Sequence, residues 1–177
     1  MAAMSAKRSI AQMNLYLVVL GGRMRGGNVE MHDVRWVLGD TIEATVPQLK
    51  SEWIGNAQGL HIDSYKQLRF VDGYRITIVN TNEIDGNEDN KIWFINLGGY
   101  ISGEMLEQHH LEIVVAPSLK IAKRRALQRW SKPMNQIHKD DHAAITNLKG
   151  YSVLLESDPQ GRHDGMKPDW SGYWVIS

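Results

Sequence analysis

Displaced by 77 residues, the stretch from Leu15 to Val79 lies over Ile92 to Glu156 without a gap, so this chain builds one unit twice. LYLVVLGG falls on IWFINLGG, VRWVLGDTIEATVPQLKSEW on LEIVVAPSLKIAKRRALQRW, and LHIDSYKQLRFVDGYRITI on IHKDDHAAITNLKGYSVLL. Twelve of the 65 aligned positions are identical, and most others keep their apolar or polar character. The reading is repeat unit 1 at 15–79, an acidic connector at 80–91, repeat unit 2 at 92–156 and a C-terminal extension at 157–177. A unit of about 65 residues buries only a marginal core by itself. The two are therefore expected to pack into one globular body about a pseudo-twofold axis.

Each unit opens with a short apolar run, Leu15–Leu20 or Ile92–Leu97, that stops at Gly-Gly and reads as a buried strand. A second strand follows, near Val29–Leu38 and Leu106–Val115, in which Val34, Trp36 and Leu38 alternate with Asp33, Arg35 and Val37. Helices are expected near 41–54 and 118–131. Asp40 and Glu43 have capping-box spacing, and Ile42, Val46, Leu49 and Trp53 share one face. Leu119, Ala122, Ala126 and Trp130 form the matching face after the cap Ser118, and the two tryptophans should be buried. Pro47 should kink the first helix or delay its start. A short extended piece, Leu60–Asp63 or Ile137–Asp140, leads to a last strand after Asp72-Gly73 or Lys149-Gly150, pairs suited to a tight turn. Gly172 to Ile176 offers one more strand. The fold class is α+β: tandem β-β-α-β-type units, each with a helix packed on a sheet.

LYLVVLGG, EMHDVRWVLGDTIEATVPQL, GLHIDSYKQL and VDGYRI together resemble a small bacterial family, the domain of unknown function 1543, built from one or two copies of such a unit. The resemblance covers about 15–156 and is closer in the first copy. In the second, His110 replaces Asp33, Lys139 replaces Ile62 and Lys149 replaces Asp72. It implies the architecture and carries no activity.

The chain contains no cysteine, which excludes disulfides, thiolate zinc sites and thiol nucleophiles. Twenty basic and twenty acidic side chains cancel, so a general polyanion binder is not expected. The basic helix residues Lys120, Lys123, Arg124, Arg125 and Arg129 read as a solvated face, and nucleic acid is not favoured. No apolar run approaches the ~20 residues of a membrane span. Behind Lys7 and Arg8 the apolar stretch is too short for a signal peptide, which points to a cytoplasmic protein.

The candidate site comes from comparing the units. Of the 16 ionisable side chains in unit 1, four keep their identity in unit 2: Glu30, His32, His61 and Asp63, matched by Glu107, His109, His138 and Asp140. Residues two apart on a strand share a face, so each Glu-x-His and His-x-Asp pair presents both groups to one side. One reading is a hydrogen-bonded network tying strands together. Another is a site for a divalent transition metal, since imidazole with carboxylate suits Zn, Fe, Mn or Ni better than Ca. A third is an acid–base site with a histidine near neutral pH. The function expected is a small-ligand-binding or interaction module using this cluster, with a metal-dependent or acid–base enzyme as the alternative. Its partner would be a small molecule or protein, including a second copy of the chain. Arg23 and Arg25 in the loop Gly21–Gly27 are weak anion-binding candidates, because a strand and not a helix follows. Asp85, Asn87 and Asp89 imitate the start of a calcium loop but lack its glycine and its final glutamate.

Overall fold

The computed structural model describes residues 13–81, 89–130 and 134–177. The lysine–arginine pair at 7–8, most of the connector with its calcium-like positions 85 and 87, and Pro133 lie outside the described residues.

Unit 1 runs β1 (Asn14–Gly22), β2 (Met31–Gly39), a 3-10 turn (Glu43–Thr45), α1 (Val46–Glu52), β3 (His61–Gln67), β4 (Phe70–Val71) and β5 (Tyr74–Asn80). Unit 2 repeats the order as β6 (Lys91–Tyr100), β7 (Gln108–Ala116), α2 (Leu119–Arg129), β8 (Asn135–Ile145), β9 (Asn147–Leu148) and β10 (Tyr151–Ser157). The extension adds β11 (Trp170–Val175). Strands order as β11-β3-β1-β2, as β7-β6-β8, and as β4-β5-β10-β9. The mixed α+β content expected from the sequence is present, with some changes. The third strands are full strands rather than short extended pieces. Pro47 occupies the first turn of α1, where its missing N–H costs nothing, so that helix starts late and spans only seven residues. Asp40 accepts only the adjacent Thr41 N–H, and Thr41 Oγ1 takes the N–H of Ala44, so the expected Asp40–Glu43 capping box does not form.

The first-strand rows explain the layering. Leu15 and Leu17 join Ile92 and Phe94 in a core between the β11-β3-β1-β2 and β7-β6-β8 sheets, with Val34, Trp36 and Leu38 packed against it. The Trp36 and Phe94 rings lie 5.6 Å apart across it. The opposite row, Tyr16, Val18 and Leu20 with Val37, packs under α1 through Ile42 and Leu49. Ile95, Leu97 and Val114 do the same under Ala122 and Ala126 of α2. Trp53 and Trp130 are half-buried rather than buried, because each caps its helix and leans over the strand end. Two of the basic α2 residues are tied to neighbouring groups while still reaching solvent: Arg125 donates to Val115 O, and Arg129 to Ile113 O and Asp72.

The third sheet joins the repeats. β5 and β10 pair antiparallel with Thr77 opposite Leu154, its own counterpart 77 residues on, and Tyr74 and Asn80 opposite Ser157 and Tyr151. Both turns leading into these strands adopt the left-handed conformation expected, with φ of 52° and 80° at Asp72-Gly73 and 50° and 89° at Lys149-Gly150.

The extension returns to unit 1. Asp158 accepts three hydrogen bonds from Arg162, whose guanidinium lies 3.6 Å over the Phe70 ring, and Asp164 accepts the N–H groups of Arg69 and Phe70. The hydrogen bonds from Arg162 hold the Asp158 carboxyl far below the usual carboxylate range against the opposing effect of burial. A carboxyl depressed in the folded state contributes stability that is full above its unfolded value, begins to decline below it and is lost as pH falls through the folded value. Melting temperature should therefore fall on acidification below pH ~4, and the decline should be shallower in Asp158→Asn. Thermal scans across pH 7 to 3 on both proteins check this. In the inter-sheet core, Phe94→Ala should cost about 3–5 kcal/mol by denaturant titration.

Candidate functional site

Glycine at the end of each first strand makes room for a polar cluster. Gly21 lies opposite His32 on β2 and His61 on β3, and Gly98 lies opposite His109 on β7 and His138 on β8. A Cβ on Gly21 would overlap His61 Nε2 and lie 2.8 Å from Glu30 Oε1. On Gly98 it would overlap Glu107 Oε1 and lie 2.5 Å from Asp140 Oδ2. The next glycine serves the other face: a Cβ on Gly22 would sit 2.7 Å from the Trp53 ring, and one on Gly99 3.0 Å from Trp130. Both Gly-Gly pairs are thus spatial requirements in a place where glycine is otherwise a poor strand former.

The structure brings the eight candidate residues together as two groups of four. In the first, His61 Nε2 lies 2.8 Å from Glu30 Oε1 and 3.2 Å from Asp63 Oδ1, and His32 Nε2 lies 3.2 Å from Asp63 Oδ2. In the second, His138 Nε2 lies 2.7 Å from Glu107 Oε1 and 2.8 Å from Asp140 Oδ1. His109 Nδ1 faces Asp140 Oδ2 at 3.3 Å and Asn96 Oδ1 at 3.2 Å.

Each central imidazole is held by a backbone carbonyl two residues earlier. His61 Nδ1 donates to Gly59 O at 2.8 Å, and His138 Nδ1 to Gln136 O at 2.9 Å. Both carbonyl-bearing residues are left-handed, with φ of 80° at Gly59 and 50° at Gln136, although only the first is glycine. With Nδ1 committed as a donor, Nε2 of a neutral ring would turn its lone pair toward two carboxylates. The arrangement calls for a cation at that nitrogen, either a proton or a metal ion. For His138 the hydrogen bond to Gln136 raises the pKa, burial opposes it, and Asp140 and Glu107 add to the rise.

The groups differ in access and closure. The His61 side chain is 3% exposed and its ring lies 4.1 Å from that of Tyr173 on β11, whereas His138 is 44% exposed with Tyr100 6.0 Å away. Glu107 Oε1 and Asp140 Oδ2 are withdrawn from solvent, and neither receives an aligned N–H. Among the described residues, the ligand atoms of Glu107, His138 and Asp140 all lie within 4.8 Å of one another; Glu30, His61 and Asp63 do not close to that span. Arg23 and Arg25 are exposed in the β1–β2 loop and belong to neither group.

Two clefts flank the groups between the facing sheets. One of 370 Å³ is lined by His32 and Val34 with Phe94, Asn96, Asp141 and His142. The other, of 290 Å³, is lined by the residues displaced by one repeat: His109 and Leu111 with Leu17, Val19, Ser64 and Tyr65.

Sequence reasoning did not assign Gly21 and Gly98, the carbonyls of Gly59 and Gln136, or Tyr173 to the site. The glycine identities carried a signal, but it reads equally well as strand termination. Because Gln136 pays a left-handed penalty that glycine would not, Gln136→Gly should raise stability by up to about 1 kcal/mol while leaving the His138 ring in place. Gly98→Ala should instead disrupt the cluster and lower the melting temperature. Denaturation together with imidazole NMR of the two variants tests both.

A comparison with curated proteins gives no match. Among solved structures, the crystal structure of a protein Il1583 from Idiomarina loihiensis is similar, with 34% identity, a TM-score of 0.73, and coverage of 93% of this chain and 98% of that one. The family model described as Domain of Unknown Function (DUF1543) matches twice, over residues 27–78 and 104–155, each match holding one Glu-x-His and one His-x-Asp pair. The chain belongs to the DUF1543 family and carries its domain in two tandem copies.

Proposed function

We propose that this chain is a metal-binding module that holds one divalent transition-metal ion at Glu107, His138 and Asp140, with His109 alongside. The observation that carries this reading is the His138 ring, fixed by the Gln136 carbonyl so that Nε2 faces two carboxylate oxygens at 2.7 and 2.8 Å. A carbonyl on the far nitrogen is the usual outer support of a metal-ligating histidine. Octahedral ligands 2.0–2.1 Å from an ion lie about 2.9 Å from one another, close to these separations. The two withdrawn oxygens without donors are acceptors that such an ion would satisfy. One nitrogen with carboxylate oxygens favours Zn, Mn, Fe or Ni over Ca. Exposure of His138 leaves a side open for an exchangeable ligand.

The first cluster is the closed counterpart. Tyr173 covers it, its carboxylates stand further apart, and His61 Nε2 lies between Glu30 and Asp63 at 2.8 and 3.2 Å with its side chain 3% exposed. We read the two units as related by a pseudo-twofold axis through the Thr77–Leu154 pair, with units of the β-β-α-β type at 15–79 and 92–156. The self-equivalent register and the two clefts built from counterpart residues support this.

Protein freed of metal and titrated with Zn²⁺ or Mn²⁺ by calorimetry should take up one equivalent per chain, and Ca²⁺ should bind far more weakly. At about 100 times the dissociation constant, binding should stabilise the fold by about 2.7 kcal/mol, seen as a rise in melting temperature. His138→Ala should abolish uptake, while His61→Ala should lower stability and keep the stoichiometry. Absence of uptake at high micromolar metal, or equal uptake by His138→Ala, would overturn the reading.

A further inference from the structure

The two repeats meet at charged positions whose signs are inverted between them. Asp72, in the turn before β5, pairs with Arg129 at the end of α2, and its other carboxylate oxygen accepts Val115 N–H at 2.9 Å. Displacing both partners by one repeat gives the contact again: Lys149, counterpart of Asp72, pairs with Glu52, counterpart of Arg129, at 2.9 Å. Both members have changed sign together.

The inversion continues inward. Arg129 lies 3.5 Å from Glu112, whose side chain is 7% exposed and whose counterpart is Arg35. Burial pushes the Glu52 carboxyl up, but hydrogen bonds from Lys149 and Gln48 and the charges of Lys149 and Arg35 hold it below its usual value. Asp33, 2.5 Å from Arg35, has His110 as its counterpart, 3.5 Å from Glu112. The line Asp33, Arg35, Glu52, Lys149 therefore runs from acid through alternating signs. The line His110, Glu112, Arg129, Asp72 runs the same positions with acid and base exchanged.

The apolar part of the interface does not discriminate in this way. Each unit presents the same kind of face, Leu15, Leu17 and Val34 in one and Ile92, Phe94 and Leu111 in the other. In a pairing of unit 1 with unit 1 of another chain, Asp72 would meet Glu52. In a pairing of two second units, Lys149 would meet Arg129. Like charges brought together at an interface penalise the wrong partner.

We propose that the inverted charge line is a pairing code, which makes each repeat complementary to the other and repulsive to a second copy of itself. The code rejects like-with-like association of repeats from two chains; reciprocal exchange, in which unit 1 of one chain pairs with unit 2 of another, keeps both ion pairs and is opposed by the short tether alone. The Asp72–Arg129 end, 10% and 31% exposed, is better shielded from solvent than the Lys149–Glu52 end, where Lys149 is 64% exposed. This inference rests on the twofold arrangement read above and is independent of metal.

The test is refolding of full-length chains. Donor-labelled and acceptor-labelled samples are mixed in denaturant and refolded together near the ~1 mM effective concentration that a short tether provides. Energy transfer and light scattering then report exchanged dimers. Wild type should refold with no transfer beyond the low background of reciprocally exchanged dimers, which keep both ion pairs and are common to every variant. A graft carrying Asp33→His, Arg35→Glu, Glu52→Arg and Lys149→Asp places at each position a residue of the sign found at its counterpart. It satisfies every pair within the chain but makes like-with-like pairing permissible, so exchanged dimers should rise severalfold. A lighter variant, Glu52→Lys with Lys149→Glu, should move in the same direction and serves if the graft folds poorly. Added salt at 0.5 M should raise exchange in wild type itself, because charge is screened within ~4 Å. Wild type exchanging as freely as the variants, or both variants refolding without dimers above wild type, would overturn the proposal. None of these readouts involves metal, so a failed titration leaves them intact.

Discussion

The antiparallel pairing of β5 with β10 is the constraint on which the other arrangements rest. Centred on Thr77 and Leu154, it brings strands from the two repeats into one sheet. It also sets the sheets of β1 and β6 face to face across Leu15, Leu17, Ile92 and Phe94. Neither repeat has enough apolar surface on a single helix and a few strands to close a core by itself. Each first strand is consequently buried on both faces, by its helix on one side and by the opposite sheet on the other. That explains why LYLVVL, and IWFINL apart from Asn96, read as apolar runs rather than alternating ones.

Given first strands covered on both sides, their last two residues are confined in opposite directions. The polar groups at Gly21 and Gly98 lie on the face that continues the inter-sheet row, and Trp53 and Trp130 lie against Gly22 and Gly99 on the helix side. The site and the helix packing are thus coupled through adjacent residues of one strand. The carbonyls of Gly59 and Gln136 complete the arrangement by fixing the central rings, and the left-handed backbone is kept even where glycine has been replaced.

Much of this was legible in the sequence because the repeat acts as an internal comparison. The strand and helix order, the turns at Asp72-Gly73 and Lys149-Gly150, and the apolar helix faces follow from periodicity and turn chemistry. The four ionisable residues kept in both units stand out because the other twelve of unit 1 changed. What escaped depends on tertiary neighbours. The burial of Trp53 was overestimated because helix periodicity does not reveal that the residue ends its helix. The ties of Arg125 and Arg129 to β7 were missed because a basic run on a short helix looks the same whether it faces water or a sheet edge. Tyr173 over His61 was invisible because nothing local links the extension to β3.

The placement of β11 has a consequence in time. During synthesis at roughly 5–20 residues per second, unit 1 precedes unit 2 by about 4–15 s. Throughout that interval β5 has a bare edge, and the face bearing Leu15, Leu17 and Val34 has nothing to pack against. Even when the second repeat arrives, the strand that carries Tyr173 has still to emerge before the first imidazole is covered. The earliest cluster to be made is therefore the last to be closed, and the open second cluster is complete before it.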